Sequence, residues 1–224
     1  MSKVITRKNG AIAEIILSNP DKMNAMTMDM WHAIPGALQE FDKDPEVRVI
    51  VISGDGEKAF ISGADITQFD KLRGTEDAQA QYNACVSAAY AAPILCSKPV
   101  IASIRGYCFG GGLGFASSCD VRICAEDAQF RMPAARLGLG YDPIGVKRFM
   151  DILGAANTAD IFFSARRFDA HNALHMGFDA TCPALGSGGD AAGSGGVARC
   201  AVRSGAASLI RTSSPARPAE TTAR

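Results

Sequence analysis

The sequence has three histidines and a single tryptophan, its aromatic content is only 7%, and its 23 lysines and arginines are matched by 23 aspartates and glutamates. Balanced charge removes the bulk attraction that would draw a chain to nucleic acid or to an acidic membrane surface, so neither is an expected partner. The seven cysteines (Cys85, Cys96, Cys108, Cys119, Cys124, Cys182, Cys200) are odd in number, irregularly spaced and contain no CxxC pair. That excludes a disulfide framework or a tetrahedral zinc site as the organising principle, and predicts buried small hydrophobes in a reducing compartment. No apolar run approaches the ~18 residues of a membrane span, and the opening MSKVITRKNG lacks a signal peptide's apolar core, so a cytoplasmic location is expected. His171 and His175 stand at i, i+4 without a third ligand motif, and no metal is expected. The GxxxxGK[ST] phosphate loop is absent, and Gly110 to Gly114 lack the GxGxxG spacing of a dinucleotide site.

What is present is a globular composition, 47% apolar and 21% charged over 224 residues. Residues 4–17 alternate around Asn9-Gly10, the pattern of two strands joined by a hairpin. Asn19-Pro20-Asp21 ends the second strand. Thr27 is placed to cap a helix to about Asp42 that buries Met30, Ile34, Leu38 and Phe41, with a kink predicted at Pro35. VRVIVIS (47–53) and PVIASI (99–104) read as strands buried on both faces, VRICA (121–125) and AQFRM (128–132) as further strands. A long polar helix is predicted from about Thr75 to Leu95. From Pro143 to Met176 the pattern is helical in three segments, IGVKRFMDILG, TADIFFSARR and DAHNALHMG. Repeated strand and helix units of this kind make an α/β fold.

Residues 1–178 form the predicted domain. The 46 residues from Asp179 to Arg224 hold no aromatic residue, no lysine and only five Leu, Ile or Val. So little apolar surface does not offset ordering costs of roughly 1–2 kcal/mol per residue, and a flexible tail is predicted.

Two glycine-bearing turns each follow a buried strand, Ser62-Gly63-Ala64-Asp65-Ile66 and Gly110-Gly111-Gly112. Each presents backbone N–H groups at a helix start, where small residues admit a ligand to the main chain. Placed at the same end of a sheet, they would form a two-donor oxyanion hole; glycines that merely permit tight packing are the plainer alternative.

NPDKMNAM (19–26), AFISGADI (59–66) and KPVIASIRGYCFGGGLGFASSCDVRICAEDAQFRMPAARLGLG (98–140) resemble, in order and spacing, successive blocks of the crotonase, or enoyl-CoA hydratase/isomerase, superfamily. The resemblance covers residues 3 to 178. It implies a spiral of ββα turns with a C-terminal helical region, assembly as a homotrimer or homohexamer, and an acyl-CoA thioester as ligand, with coenzyme A as part of the substrate and no other cofactor. It assigns the thioester oxygen to the amides of Ala64 and Gly111, and the coenzyme A path to Lys22, Met23 and Ala25, with Asp65 and Ile66 alongside. The segment after Phe178 shares nothing with the family pattern; its Ala, Gly, Arg, Ser and Pro text matches a frame change in a GC-rich gene, and an altered C-terminus is expected.

The chain departs from the hydratase pattern where that pattern places its two glutamates: here stand Gly114 and Ala134. Neither carries a proton, and hydration needs an acid/base pair, so hydratase chemistry is expected to be slow or absent, and a glutamate at both positions is expected to raise it if the pocket geometry is retained. Asp142, in LGLGYDPIG, matches a carboxylate of the dienoyl-CoA isomerase and aryl-CoA dehalogenase branches and is the candidate proton carrier, with Tyr141 a neighbouring donor. As a residue before Pro143 it equally suits a helix cap. The implied function is an acyl-CoA enzyme of the isomerase type; the alternative is an acyl-CoA-binding or regulatory protein without turnover. Asp120 and Arg122 are read as structural, Asp65 as capping the turn after it, and His32 as a surface residue.

Overall fold

A computed structural model describes residues 2–68 and 75–179; residues 180–224 of the predicted tail, Cys182 and Cys200 among them, lie outside the described residues. The hairpin is β1 (Lys3–Asn9) and β2 (Ile12–Ser18), paired from Lys3↔Ser18 to Asn9↔Ile12. Its turn is Gly10-Ala11, one place later than predicted, with Gly10 at φ +59°, a conformation glycine adopts without a steric penalty.

β3 (Val49–Gly54), β5 (Val100–Ile104) and β7 (Val121–Cys124) extend the hairpin in parallel, giving the order β1-β2-β3-β5-β7. A second sheet is built from three-residue strands: β4 (Ala59–Ile61), β6 (Tyr107–Phe109), β8 (Gln129–Arg131) and β9 (Arg167–Asp169), the first three parallel. The helices are α1 (Met28–Lys43), α2 (Glu76–Leu95), α3 (Gly111–Ala116), α4 (Pro143–Ser164) and α5 (Ala170–His175). In chain order, β3-β4-α2, β5-β6-α3 and β7-β8-α4 are three turns of the ββα spiral. One strand of each turn goes to each sheet.

The β-branched run does what its composition predicts: Val49, Ile50, Val51 and Ile52 are all buried. Ile50 and Ile52 join Ala13, Ile15 and Leu17 of β2 and Met30, Ile34 and Leu38 of α1 in the main core, while Val49 and Val51 meet Ile101 and Ile123 in a second cluster. Thr27 caps α1 by accepting from the Met30 amide at 3.4 Å, and Thr75 caps α2 from Ala78 at 3.2 Å. Pro35 lies inside α1, which runs on beyond it. The first two helical segments of the C-terminal region are the two halves of α4, separated where Gly154 leaves helical geometry at φ 77° and ψ 164°. The third begins later than predicted, because Arg167–Asp169 is the strand β9, antiparallel to β8, with Phe168 stacked on Phe130 at 5.3 Å.

Asp120 and Arg122 are structural, as read: Asp120 accepts from the Val100 amide at 2.8 Å, and Arg122 donates to the carbonyls of Phe178 and Cys119. Asp179, assigned from sequence to the tail, is buried and accepts from the Cys124 amide at 3.1 Å, so the packed body includes it. Cys108, Cys119 and Cys124 are buried thiols, Cys85 and Cys96 half-buried ones. Among the described residues no helix is long and apolar enough to cross a membrane.

Candidate active site

Strands β4, β6 and β8 run side by side in one direction, so the loops that leave their C-terminal ends share an edge, the usual ligand edge of a parallel sheet. The loop after β4 carries Gly63 and Ala64, the loop after β6 carries Gly110 and Gly111, and the loop after β8 carries Pro133 and Ala134. Gly110 donates to the Arg131 carbonyl at 2.9 Å, and a Cβ there would meet the Pro133 ring at 3.7 Å. The two glycine-bearing turns therefore stand at the same end of one sheet.

The backbone around each turn is bonded so as to leave one donor over. Met26 and Ala64 pair as a short parallel bridge, in which Met26 donates to the Gly63 carbonyl and Asp65 to the Met26 carbonyl, both at 2.9 Å. These bonds flank Ala64, whose own N–H has no partner among the described residues. Gly111 is the first residue of α3, where an amide has no acceptor within the helix, and its N–H is likewise unpaired among the described residues.

The residues read as a coenzyme A path form the loop that the Ala64 turn is stitched to. Met23 and Asn24 hold left-handed conformations, φ 50° and 56°, and the buried Asn24 side chain donates to the carbonyls of Asp55 and Ala59 and accepts from the Asn19 amide. The Ser62 amide and hydroxyl donate to the carbonyls of Met23 and Lys22. Met23 is exposed and Ala25 buried. Lys22 donates to Asp65 at 2.8 Å and to the Thr67 hydroxyl at 2.9 Å. Asp65 also accepts from the Thr67 amide at 3.1 Å, capping the turn that begins at Ile66, as read from sequence. Burial acts to raise the Asp65 carboxyl, but the bonds from Lys22 and Thr67 outweigh it and hold the group below the ordinary aspartate value.

Gly114 is not an open position. A Cβ there would lie 2.8 Å from the Tyr90 hydroxyl and closer still to that of Tyr141. Tyr90, on α2, donates to the Gly111 carbonyl at 2.8 Å and meets Trp31 edge-on at 5.7 Å. Tyr141 packs edge-on against Phe162 and Phe149, and its ring fills the space of a Cβ at Gly145. Its hydroxyl is buried beside that of Tyr90 and makes no well-formed hydrogen bond. Burial pushes Tyr141 up to about 12 and Tyr90 well above the ordinary tyrosine value. Raising hydration with glutamates at 114 and 134 is expected only if the pocket geometry is retained, and at 114 the two tyrosine hydroxyls occupy the room a glutamate would need unless they move.

The sequence pattern of enoyl-CoA hydratase/isomerase matches residues 7–184. The chain belongs to that family. It is 34% identical to Delta(3,5)-Delta(2,4)-dienoyl-CoA isomerase, peroxisomal, of Arabidopsis thaliana, over 77% of this chain and 66% of that protein. It is 37% identical to carnitinyl-CoA dehydratase of Salmonella enteritidis PT4, over 76% and 64%. Among solved structures, an enoyl-CoA hydratase/isomerase family protein from Hyphomonas neptunium superposes with a TM-score of 0.84 at 34% identity, covering 93% of this chain and 79% of that one. The chain spans about two thirds of the length of the curated relatives it matches.

Within this family member, Ala134 is buried beside Pro133 at the start of a short 3-10 turn. Asp142 is exposed and caps α4, one oxygen accepting from the Ile144 amide at 3.1 Å. The side chain packed against Gly114 is that of Tyr141, the chain neighbour of Asp142. His32, His171 and His175 are exposed, and among the described residues no three His, Cys, Asp or Glu are grouped to hold a metal. Sequence reasoning missed Tyr90, Asn24 and Trp31. The signal for Tyr90 was Gly114 itself, a glycine inside a helix, which commonly marks a position that something else occupies.

Proposed function

We propose that the chain binds an acyl-CoA thioester, holds its carbonyl oxygen between the N–H groups of Ala64 and Gly111, and stabilises the enolate formed from it. The observation that carries this is the pair of unpartnered backbone donors on the loops after adjacent parallel strands β4 and β6. Each such donor contributes roughly 3–4 kcal/mol to a developing oxyanion in a dry site. Backbone amides do this whatever the neighbouring side chains are, so the element outlasts the loss of carboxylates at 114 and 134. Lys22, Met23, Ala25 and Asp65 line the coenzyme A path on the loop joined to Ala64, with the Ile66 backbone next in the chain; the Lys22 cation is shared there with Asp65.

The reaction is isomerisation rather than hydration, because a single carboxylate suffices to start it by taking a proton from the acyl chain. Asp142 is that carboxylate, with one oxygen held by the cap and the other free of partners among the described residues. The likeness to a dienoyl-CoA isomerase supports this direction. A homotrimer or homohexamer is the proposed assembly, supported by apolar Phe163, Ile144 and Leu137 left exposed on one chain. A second reading, acyl-CoA binding without turnover, is favoured by Gly114 and Ala134.

Calorimetry with butyryl-CoA and butyrate tests the binding reading, with tight binding expected of the thioester and none of the free acid. Equal affinities would remove it. Product analysis with 3-butenoyl-CoA then separates the enzyme, which forms crotonyl-CoA, from the binding protein, which returns it unchanged.

A further inference from the structure

The acyl-CoA reading leaves unexplained why two tyrosine hydroxyls converge where the family pattern has a glutamate. Building on that reading, we propose that the Tyr141 hydroxyl is the proton donor facing the bound acyl chain, in the place of the carboxyl missing at residue 114, and that Tyr90 is its positioning residue. Three features of the packing lead there.

First, the chain makes room for Tyr141 at two separate positions. A Cβ at Gly145 would lie 2.7 Å from its ring and one at Gly114 would collide with its hydroxyl, so both glycines are shaped to this one side chain. Second, the hydroxyl is buried without a well-formed hydrogen bond, as are Trp31 Nε1 and Arg105 Nε among the described residues, while its ring packs on Phe149 and Phe162. A phenylalanine would fill the same space without burying a hydroxyl that is poorly paired with Tyr90, so the retained O–H points to a further acceptor that arrives with a ligand. Third, the hydroxyl pair is tied to the proposed oxyanion site. Tyr90 donates to the carbonyl of Gly111, whose N–H is one of the two free donors, and its oxygen lies 3.5 Å from where a Gly111 Cβ would stand. Tyr90 thereby fixes the Gly111 peptide and the wall against which Tyr141 rests.

Burial keeps the proton on both phenols at neutral pH, so Tyr141 donates and does not act as the resting base. Its chain neighbour Asp142 supplies the base. Asp142 removes a proton from one carbon of the acyl chain, and the electron pair passes through the conjugated carbons to the thioester oxygen. The Tyr141 O–H then gives its proton to another carbon of the chain as the carbonyl re-forms. The tyrosinate recovers a proton from the Asp142 carboxyl, and the cycle closes with no net gain or loss.

The test uses Tyr141→Phe and Tyr90→Phe in the full chain, with 3-butenoyl-CoA in deuterated water as substrate and butyryl-CoA as the unreactive ligand. Tyr141→Phe is expected to bind butyryl-CoA within a few-fold of the parent and to keep or raise its melting temperature, while conversion with deuterium incorporation falls about 10²-fold. Tyr90→Phe is expected to lower kcat with KM little changed, a split that a packing defect alone would not produce. Conversion undiminished in Tyr141→Phe that still binds butyryl-CoA overturns the assignment and leaves the acyl-CoA reading standing. A parent protein that binds no butyryl-CoA takes the acyl-CoA reading down, and this inference with it.

Discussion

Asp65 and Asp142 are both cap residues, and their surroundings give them different consequences. Asp65 is buried and held below its ordinary value by Lys22 and Thr67, so the folded state binds a proton there less readily than the unfolded chain. The stability it contributes is full above the ordinary aspartate value of about 3.9 and is lost as pH falls through the lower folded value. Urea unfolding of the parent and of Asp65→Asn should therefore differ by a constant amount above about pH 5 and converge below about pH 4. A gap that does not narrow in acid would mean that the Lys22 bond carries no net stability. Asp142 makes one exposed cap bond, so Asp142→Asn, which keeps a capping oxygen, should leave stability within about 0.5 kcal/mol. Solvent deuterium exchange into a bound acyl chain should nevertheless fall at least ~10²-fold. Undiminished exchange would confine Asp142 to capping.

The elements that sequence reading recovers are those whose pattern is long or whose chemistry is local. Thr27 before an amphipathic run, the β-branched residues of β3 and β5, and Asn9-Gly10 all specify their structure within a few positions. The elements it loses are three residues long: β6 lies inside the glycine-rich block and β9 inside a helical pattern, and each is a strand only because a neighbouring strand pairs with it. The site divides the same way. Ala64 and Gly111 follow from motif blocks on the loops they occupy. Tyr90 lies on α2, twenty-four residues before Gly114, and only the packing of α2 on α3 brings the two together. That packing yields a prediction that reverses the sequence expectation. Gly114→Glu should lower the melting temperature by several degrees and leave crotonyl-CoA hydration no faster, because its first side-chain atom meets two buried hydroxyls. A stable, faster hydratase would show that the tyrosines yield at no cost.

Across the whole molecule, the ββα spiral sends one strand of each turn to the second sheet, and three consecutive turns deliver their loops to one edge. In the proposed function the chemistry at that edge is held by the main chain, and so needs no carboxylate at Gly114 or Ala134. The central claim is that the amides of Ala64 and Gly111 polarise a thioester carbonyl. Infrared difference spectroscopy of bound butyryl-CoA, labelled with ¹³C at the carbonyl, reads that polarisation directly. The predicted result is a carbonyl stretch at lower frequency than in free butyryl-CoA, and that shift should persist in Asp142→Asn. A bound thioester whose stretch matches that in water or moves to higher frequency would contradict it.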